Sequence, residues 1–131
     1  MKLFINQLPC IRKNEETFLI TEDICYKTIA GNRVPIPFTN VAFASDATKT
    51  TETVFYQTLP LCHQESYITN SKGDEPGDQK GVRSGTLQGK AVFINASANV
   101  FFEGKAAVRH GDKMISNQNN TEPAAILYNG D

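Results

Sequence analysis

The chain has 131 residues, 40% of them hydrophobic and 21% charged, which suffices for a single domain, residues 1–131, with its own core and excludes a disordered segment. Thirteen Lys and Arg against fourteen Asp and Glu leave a net charge of −1, with no basic footprint of the kind that nucleic acid or an anionic membrane needs. No apolar run approaches the roughly 20 residues that cross a bilayer, and the apolar start Leu3-Phe4-Ile5 is too short for a signal peptide. The chain is expected to stay in the cytoplasm until something other than the general secretory route moves it.

Taken in chain order, the strand signals are Lys2 to Asn6, Thr17 to Ile20, Val54 to Thr58, Lys90 to Ile94, Asn99 to Glu103 and Lys105 to Val108. Each is a short β-branched or aromatic run closed by Gly, Asn, Asp or Pro. No window keeps a 3.6-residue apolar period, and the stretch with most helical promise, Asn40 to Thr48, is short and carries Ser45 and Asp46. The fold class is therefore mainly β. The last runs, with only Gly104 between them, read as consecutive hairpins, and Phe93, Ile94, Val100 and Phe102 are their expected core residues.

Between Asn70 and Gly89 lies a polar stretch with Gly73, Gly77, Gly81, Gly85 and Gly89. It reads as a long exposed loop, with Asp74, Glu75 and Asp78 as solvated carboxylates. A phosphate cradle is not indicated, because the strand-to-helix context is missing and Lys80 is not followed by Ser or Thr. An odd set of cysteines, Cys10, Cys25 and Cys62, suggests no disulfide framework; they read as free buried thiols or as metal ligands.

Comparing the chain with itself shows three segments with a shared start. They are Leu3-Phe4-Ile5-Asn6-Gln7-Leu8-Pro9, Val54-Phe55-Tyr56-Gln57-Thr58-Leu59-Pro60 and Val100-Phe101-Phe102-Glu103-Gly104-Lys105-Ala106. Each opens with an aliphatic, an aromatic and another large apolar residue, and the intervals of 51 and 46 residues divide the chain into rough thirds. Such spacing predicts an internal pseudo-threefold.

Three further stretches carry a resemblance. They are Arg33-Val34-Pro35-Ile36-Pro37-Phe38-Thr39-Asn40-Val41-Ala42, then Ser71 to Gly77 with Gly81-Val82 and Ser84-Gly85, and finally Val100 to Lys105 running on through Val108-Arg109 and Asp112-Lys113-Met114 to Asn117. In order and spacing they are similar to the PAAR-like family of spike-tip proteins, in the branch found beside the trimeric VgrG spike of type VI secretion systems.

The resemblance implies a small, conical, three-sided β-prism with pseudo-threefold repeats and long loops. It implies a non-catalytic tip, one copy per VgrG-type trimer, assembled in the bacterial cytoplasm and ejected with the spike, with effectors as cargo. An open prism ends in unpaired strand edges, which such a cap satisfies. Founding members hold zinc near the apex with His and Cys, so the resemblance makes zinc the candidate cofactor here and His63, His110, Cys25 and Cys62 its candidate ligands, with Cys10 a fifth. The tight pair spacings of a zinc site are missing. In the repeat comparison His63 and His110 fall within one position of each other.

Other functions have thinner support. An enzyme lacks an activated group: there is no nucleophile elbow and no metalloprotease helix. The other reading is a free-standing β-sandwich or barrel that binds a peptide or glycan. The apolar patch Ala124-Ala125-Ile126-Leu127-Tyr128 either closes the base of the domain or offers effectors an attachment point.

Overall fold

Residues 3–128, which the computed structural model describes, form strands and turns with one 3-10 turn at Ala44–Asp46 and no α-helix. In chain order the strands are β1 (Phe4–Ile5), β2 (Leu8–Pro9), β3 (Phe18–Ile29), β4 (Asn32–Phe43), β5 (Ala47–Thr48), β6 (Phe55–Tyr56) and β7 (Leu59–Pro60). They continue with β8 (Tyr67–Ile68), β9 (Ala91–Phe93), β10 (Phe101–Phe102), β11 (Lys105–Ala106), β12 (Lys113–Ile115) and β13 (Ala124–Ala125). The mainly β fold class thus holds.

The three repeats become three hairpins of one design. Phe4 pairs with Pro9 and Ile5 with Leu8, Phe55 with Pro60 and Tyr56 with Leu59, and Phe101 with Ala106 and Phe102 with Lys105. The two turn residues lie at φ 53° and 69° for Asn6 and Gln7, 50° and 70° for Gln57 and Thr58, and 52° and 81° for Glu103 and Gly104. Two consecutive positive φ values make the mirror-image turn whose twist matches a tight hairpin.

Each hairpin runs on into a three-residue segment, and the three segments close a ring. Arg12 bridges to Leu61, His63 to Ala107 and Arg109 to Cys10, so the last residue of each segment meets the first of the next. One position on, Lys13 N–H donates to Pro60 O at 3.0 Å, Gln64 N–H to Ala106 O at 2.8 Å and His110 N–H to Pro9 O at 2.8 Å. The pairing therefore carries the pseudo-threefold through side chains that differ, because backbone bonds need no particular residue.

Side chains fill this ring in layers. The middle residues Ile11, Cys62 and Val108 enter the larger core cluster with Leu19, Ile68, Met114 and Ile126, all buried. The first residues Cys10, Leu61 and Ala107 form a second cluster with Ile5, against which Tyr56 and Phe102 pack. The expected inward face of Phe102 is thus right, and Phe93 is buried, but Ile94 is exposed.

The rest of the chain has no such repeat. The hairpin β3–β4 is paired without a break from Phe18↔Phe43 to Ile29↔Asn32, well beyond the expected Thr17–Ile20. Val41 exchanges both its backbone bonds with Lys72, at 2.7 and 2.8 Å, so it and every second residue back to Pro37 and Pro35 face away from β3. Prolines at those positions remove no ladder bond, which is why β4 is a strand despite them. A five-stranded antiparallel sheet in the order β13-β12-β9-β8-β5 joins the later segments. The stretch Asn40 to Thr48 is strand, 3-10 turn and strand in place of a helix.

Candidate functional site

Alternation within each hairpin turns one aromatic outward and the next large residue inward. Phe4, Phe55 and Phe101 are 55%, 56% and 57% exposed, while Ile5 is buried and Tyr56 and Phe102 pack on the second cluster. Three rings are thus held outward at equivalent positions of three equivalent hairpins. Two of the turns are buttressed alike: Arg12 Nη1 donates to Gln57 Oε1 at 2.6 Å and Arg109 Nη1 to Asn6 Oδ1 at 3.0 Å. In the third turn His63 stands near Glu103, whose carboxyl is held low mainly by hydrogen bonds from Thr53 and also by His63.

A second constellation is polar and buried. Asp23 on β3, Cys25 two residues on and Asp74 in the glycine-rich stretch bring their ligand atoms within 4.8 Å of one another. Asp74 is buried, not solvated as expected. Burial, then a hydrogen bond with Asp23, pushes its carboxyl up to about 7. Asn117 Nδ2 donates to Asp23 Oδ2 at 2.9 Å, and Asn120 Nδ2 donates to Asp23 Oδ1 and to Ile24 O. The asparagine oxygens accept in turn: Gly89 N–H reaches Asn117 Oδ1 at 2.9 Å, and Arg83 and Ser84 N–H reach Asn120 Oδ1 at 2.7 and 3.0 Å.

Local backbone explains the placement. Asn117, Gln118 and Asn119 lie at φ 48°, 52° and 69°, a left-handed run that asparagine tolerates best after glycine. At Gly81 a Cβ would stand 2.5 Å from the Asn120 amide, so this glycine serves close approach and not flexibility. The expected exposed loop is a loop pinned to a polar centre.

Of the candidate zinc ligands, Cys62, His63 and His110, with Cys10, lie along the hairpin ring, and Cys25 lies on β3. Among the described residues the triad of Asp23, Cys25 and Asp74 contains Cys25 alone of them. In the ring register His63 matches Arg12 and Arg109, and His110 lies one position beyond. His63 Nδ1 accepts Glu65 N–H at 3.2 Å and His110 Nδ1 accepts Tyr128 N–H at 2.8 Å, so one nitrogen of each ring is engaged. His63 is held low by burial and by Lys105, against Glu65 and Glu103. Cys10, Cys25 and Cys62 are buried free thiols. Burial and then Cys10 push Cys62 up to about 12, and burial, Asp23 and Asp74 push Cys25 up to about 12.

The triad does not fit a zinc ion well. It offers three ligand atoms, one of them soft, and the amides beside it, Asn117 and Asn120, turn N–H groups toward Asp23 and have their oxygens engaged elsewhere, so neither supplies a fourth ligand. Sequence reasoning missed Asp23, Asn117 and Asn120 as a unit. Their one signal was the glycine spacing opposite them, read as looseness.

The chain belongs to the family described as Toxin PAAR-like domain, which it matches over residues 16–123. It is similar to the DNase toxin Tse7 of Pseudomonas aeruginosa, with 33% identity over 120 residues, 85% of this chain and 31% of that protein. The chain thus spans about a third of the length of this curated relative. No solved structure matches it. The family match leaves out residues before 16, although β1, β2 and Cys10 to Arg12 complete the ring.

Proposed function

We propose that the chain is the non-catalytic tip that caps a trimeric VgrG-type spike of a bacterial contractile injection machine of the type VI kind, one copy per trimer. The observation that carries this reading is the set of three exposed rings, Phe4, Phe55 and Phe101, alike in register, turn and exposure. A single chain that repeats one apolar contact three times matches a homotrimer on its axis, and each subunit meets an equivalent ring. In this reading the hairpins form the broad base, the narrow end of a conical outline points away from the spike, and the spike's open strand edges are covered. The relative named a DNase toxin, of which this chain matches about a third, supports a role in carrying effectors. The tip is assembled in the cytoplasm and leaves the cell on the spike.

Mixing the chain with a candidate spike trimer and measuring the mass of the complex by sedimentation tests this. One copy per trimer is expected, and three copies per trimer would overturn it. Replacing all three phenylalanines by serine is expected to abolish the complex while the chain stays folded.

A further inference from the structure

We infer that the work of tying loops together, which a metal does in the founding PAAR proteins, is done in this chain by a hydrogen-bonded clasp of Asp23, Asn117 and Asn120. The inference is independent of the spike-capping proposal, because it rests on which segments the clasp joins.

Three parts of the chain meet there without sharing a sheet. Asp23 comes from β3, Asn117 and Asn120 from the left-handed turn before β13, and their partners Arg83, Ser84, Thr86 and Gly89 from the glycine-rich stretch. Asn117 donates to Asp23 Oδ2 and to Thr86 O at 2.9 and 2.7 Å, and accepts from Gly89 N–H and Thr86 Oγ1 at 2.9 and 3.0 Å. Asn120 donates twice and accepts twice in the same manner. Both amides are therefore fully used, and both are buried. A buried polar network whose members are all satisfied fixes one arrangement, whereas a partly satisfied one is costly.

A metal in that position requires a different donor set. The triad offers three ligand atoms, and the side chains nearest to it, Asn117 and Asn120, turn N–H groups toward Asp23 while their oxygens accept from Gly89, Arg83 and Ser84, so neither amide completes a tetrahedral set.

The two readings separate on purified protein that has met no affinity-tag metal. Elemental analysis is expected to find less than about a tenth of an equivalent of zinc, zinc titration to give no heat of tight binding, and a chelator to leave the melting temperature unchanged. Zinc near one equivalent, or a chelator that lowers melting, overturns the inference. Asn120→Asp brings a third carboxyl to Asp23 and Asp74; it is expected to lower the melting temperature with no rescue by zinc, and rescue by zinc overturns the inference. Should that variant fail to fold, Asn117→Ala gives the second measurement, with hydrogen exchange at Gly89 expected to speed up at least tenfold relative to amides of the hairpin ring. Equal acceleration at both places shows that the clasp does not hold the loop.

Discussion

The hairpin ring and the long-hairpin region solve the same problem by opposite means. In the ring, one short sequence pattern is used three times, backbone bonds set the geometry, and small apolar clusters fill the middle. In the other region no pattern repeats, and four buried polar side chains, Asp23, Asp74, Asn117 and Asn120, join segments far apart in sequence. Repetition tolerates variation because backbone pairing ignores side-chain identity. A polar centre does not, since one changed partner strands the others.

The sharpest way to break the ring is to empty it. Leu61 is fully buried where the second hairpin meets the first and sits in the cluster with Ile5, Cys10 and Ala107. Leu61→Ala is expected to cost about 2–5 kcal/mol in chemical denaturation. A loss under about 1 kcal/mol would mean that this small cluster is not a determinant of stability.

The polar region is expected to respond to pH through Asp74. Asp74 is raised from 3.8 to about 7 by burial and by its hydrogen bond with Asp23. A raised acid favours folding in its protonated form, so its contribution is complete below about pH 4, falls as the unfolded chain ionises, and is lost as pH rises through about 7. Asp74→Asn keeps a donor for Asp23 and an acceptor for Gln88 N–H, which Asp74 binds at 3.1 Å. Its stability is expected to change less between pH 5 and 8 than that of the parent, when both are followed by denaturant unfolding. Parallel pH curves would show that Asp74 ionises in the folded chain as it does in the unfolded one.

The ring was legible in the sequence and the polar centre was not. Periodic apolar triplets such as Val54-Phe55-Tyr56 announce themselves, and the three starts matched position for position in the pairing. Only Glu103-Gly104, however, carries the glycine that such a turn favours. Thr58 takes φ 70° without being glycine, and it is β-branched. The clasp left no local mark, because hydrogen bonds across about 90 positions from Asp23 to Asn117 have no spacing rule. β4 hid behind Pro35 and Pro37, whose harmlessness depends on which way the strand faces. Thr58→Gly makes the second turn resemble the third and relieves the left-handed strain. It is expected to stabilise the chain by about 1 kcal/mol, read as a higher denaturation midpoint. A lower midpoint would mean that the Thr58 side chain contributes more than its backbone strain costs.

The smallest effect on stability belongs to the three outer phenylalanines, and it divides the ring's fold from its use. Phe4, Phe55 and Phe101 are more than half exposed, so Phe→Ala at any one of them is expected to change stability by no more than about 0.5 kcal/mol. Binding to a spike trimer is another matter. An aromatic ring desolvated at the centre of an interface commonly contributes 2 kcal/mol or more, about thirtyfold in affinity. Each single variant should therefore weaken the complex, and by similar factors, because the trimer presents the same surface to each ring and the hairpins present the same backbone to it. Titration calorimetry with the three variants side by side gives the comparison. Equal losses support a threefold contact. A large loss at one position with none at the other two would mean that the partner meets only one side of the ring, as a monomeric ligand does, and the threefold surface would then be a feature of folding alone.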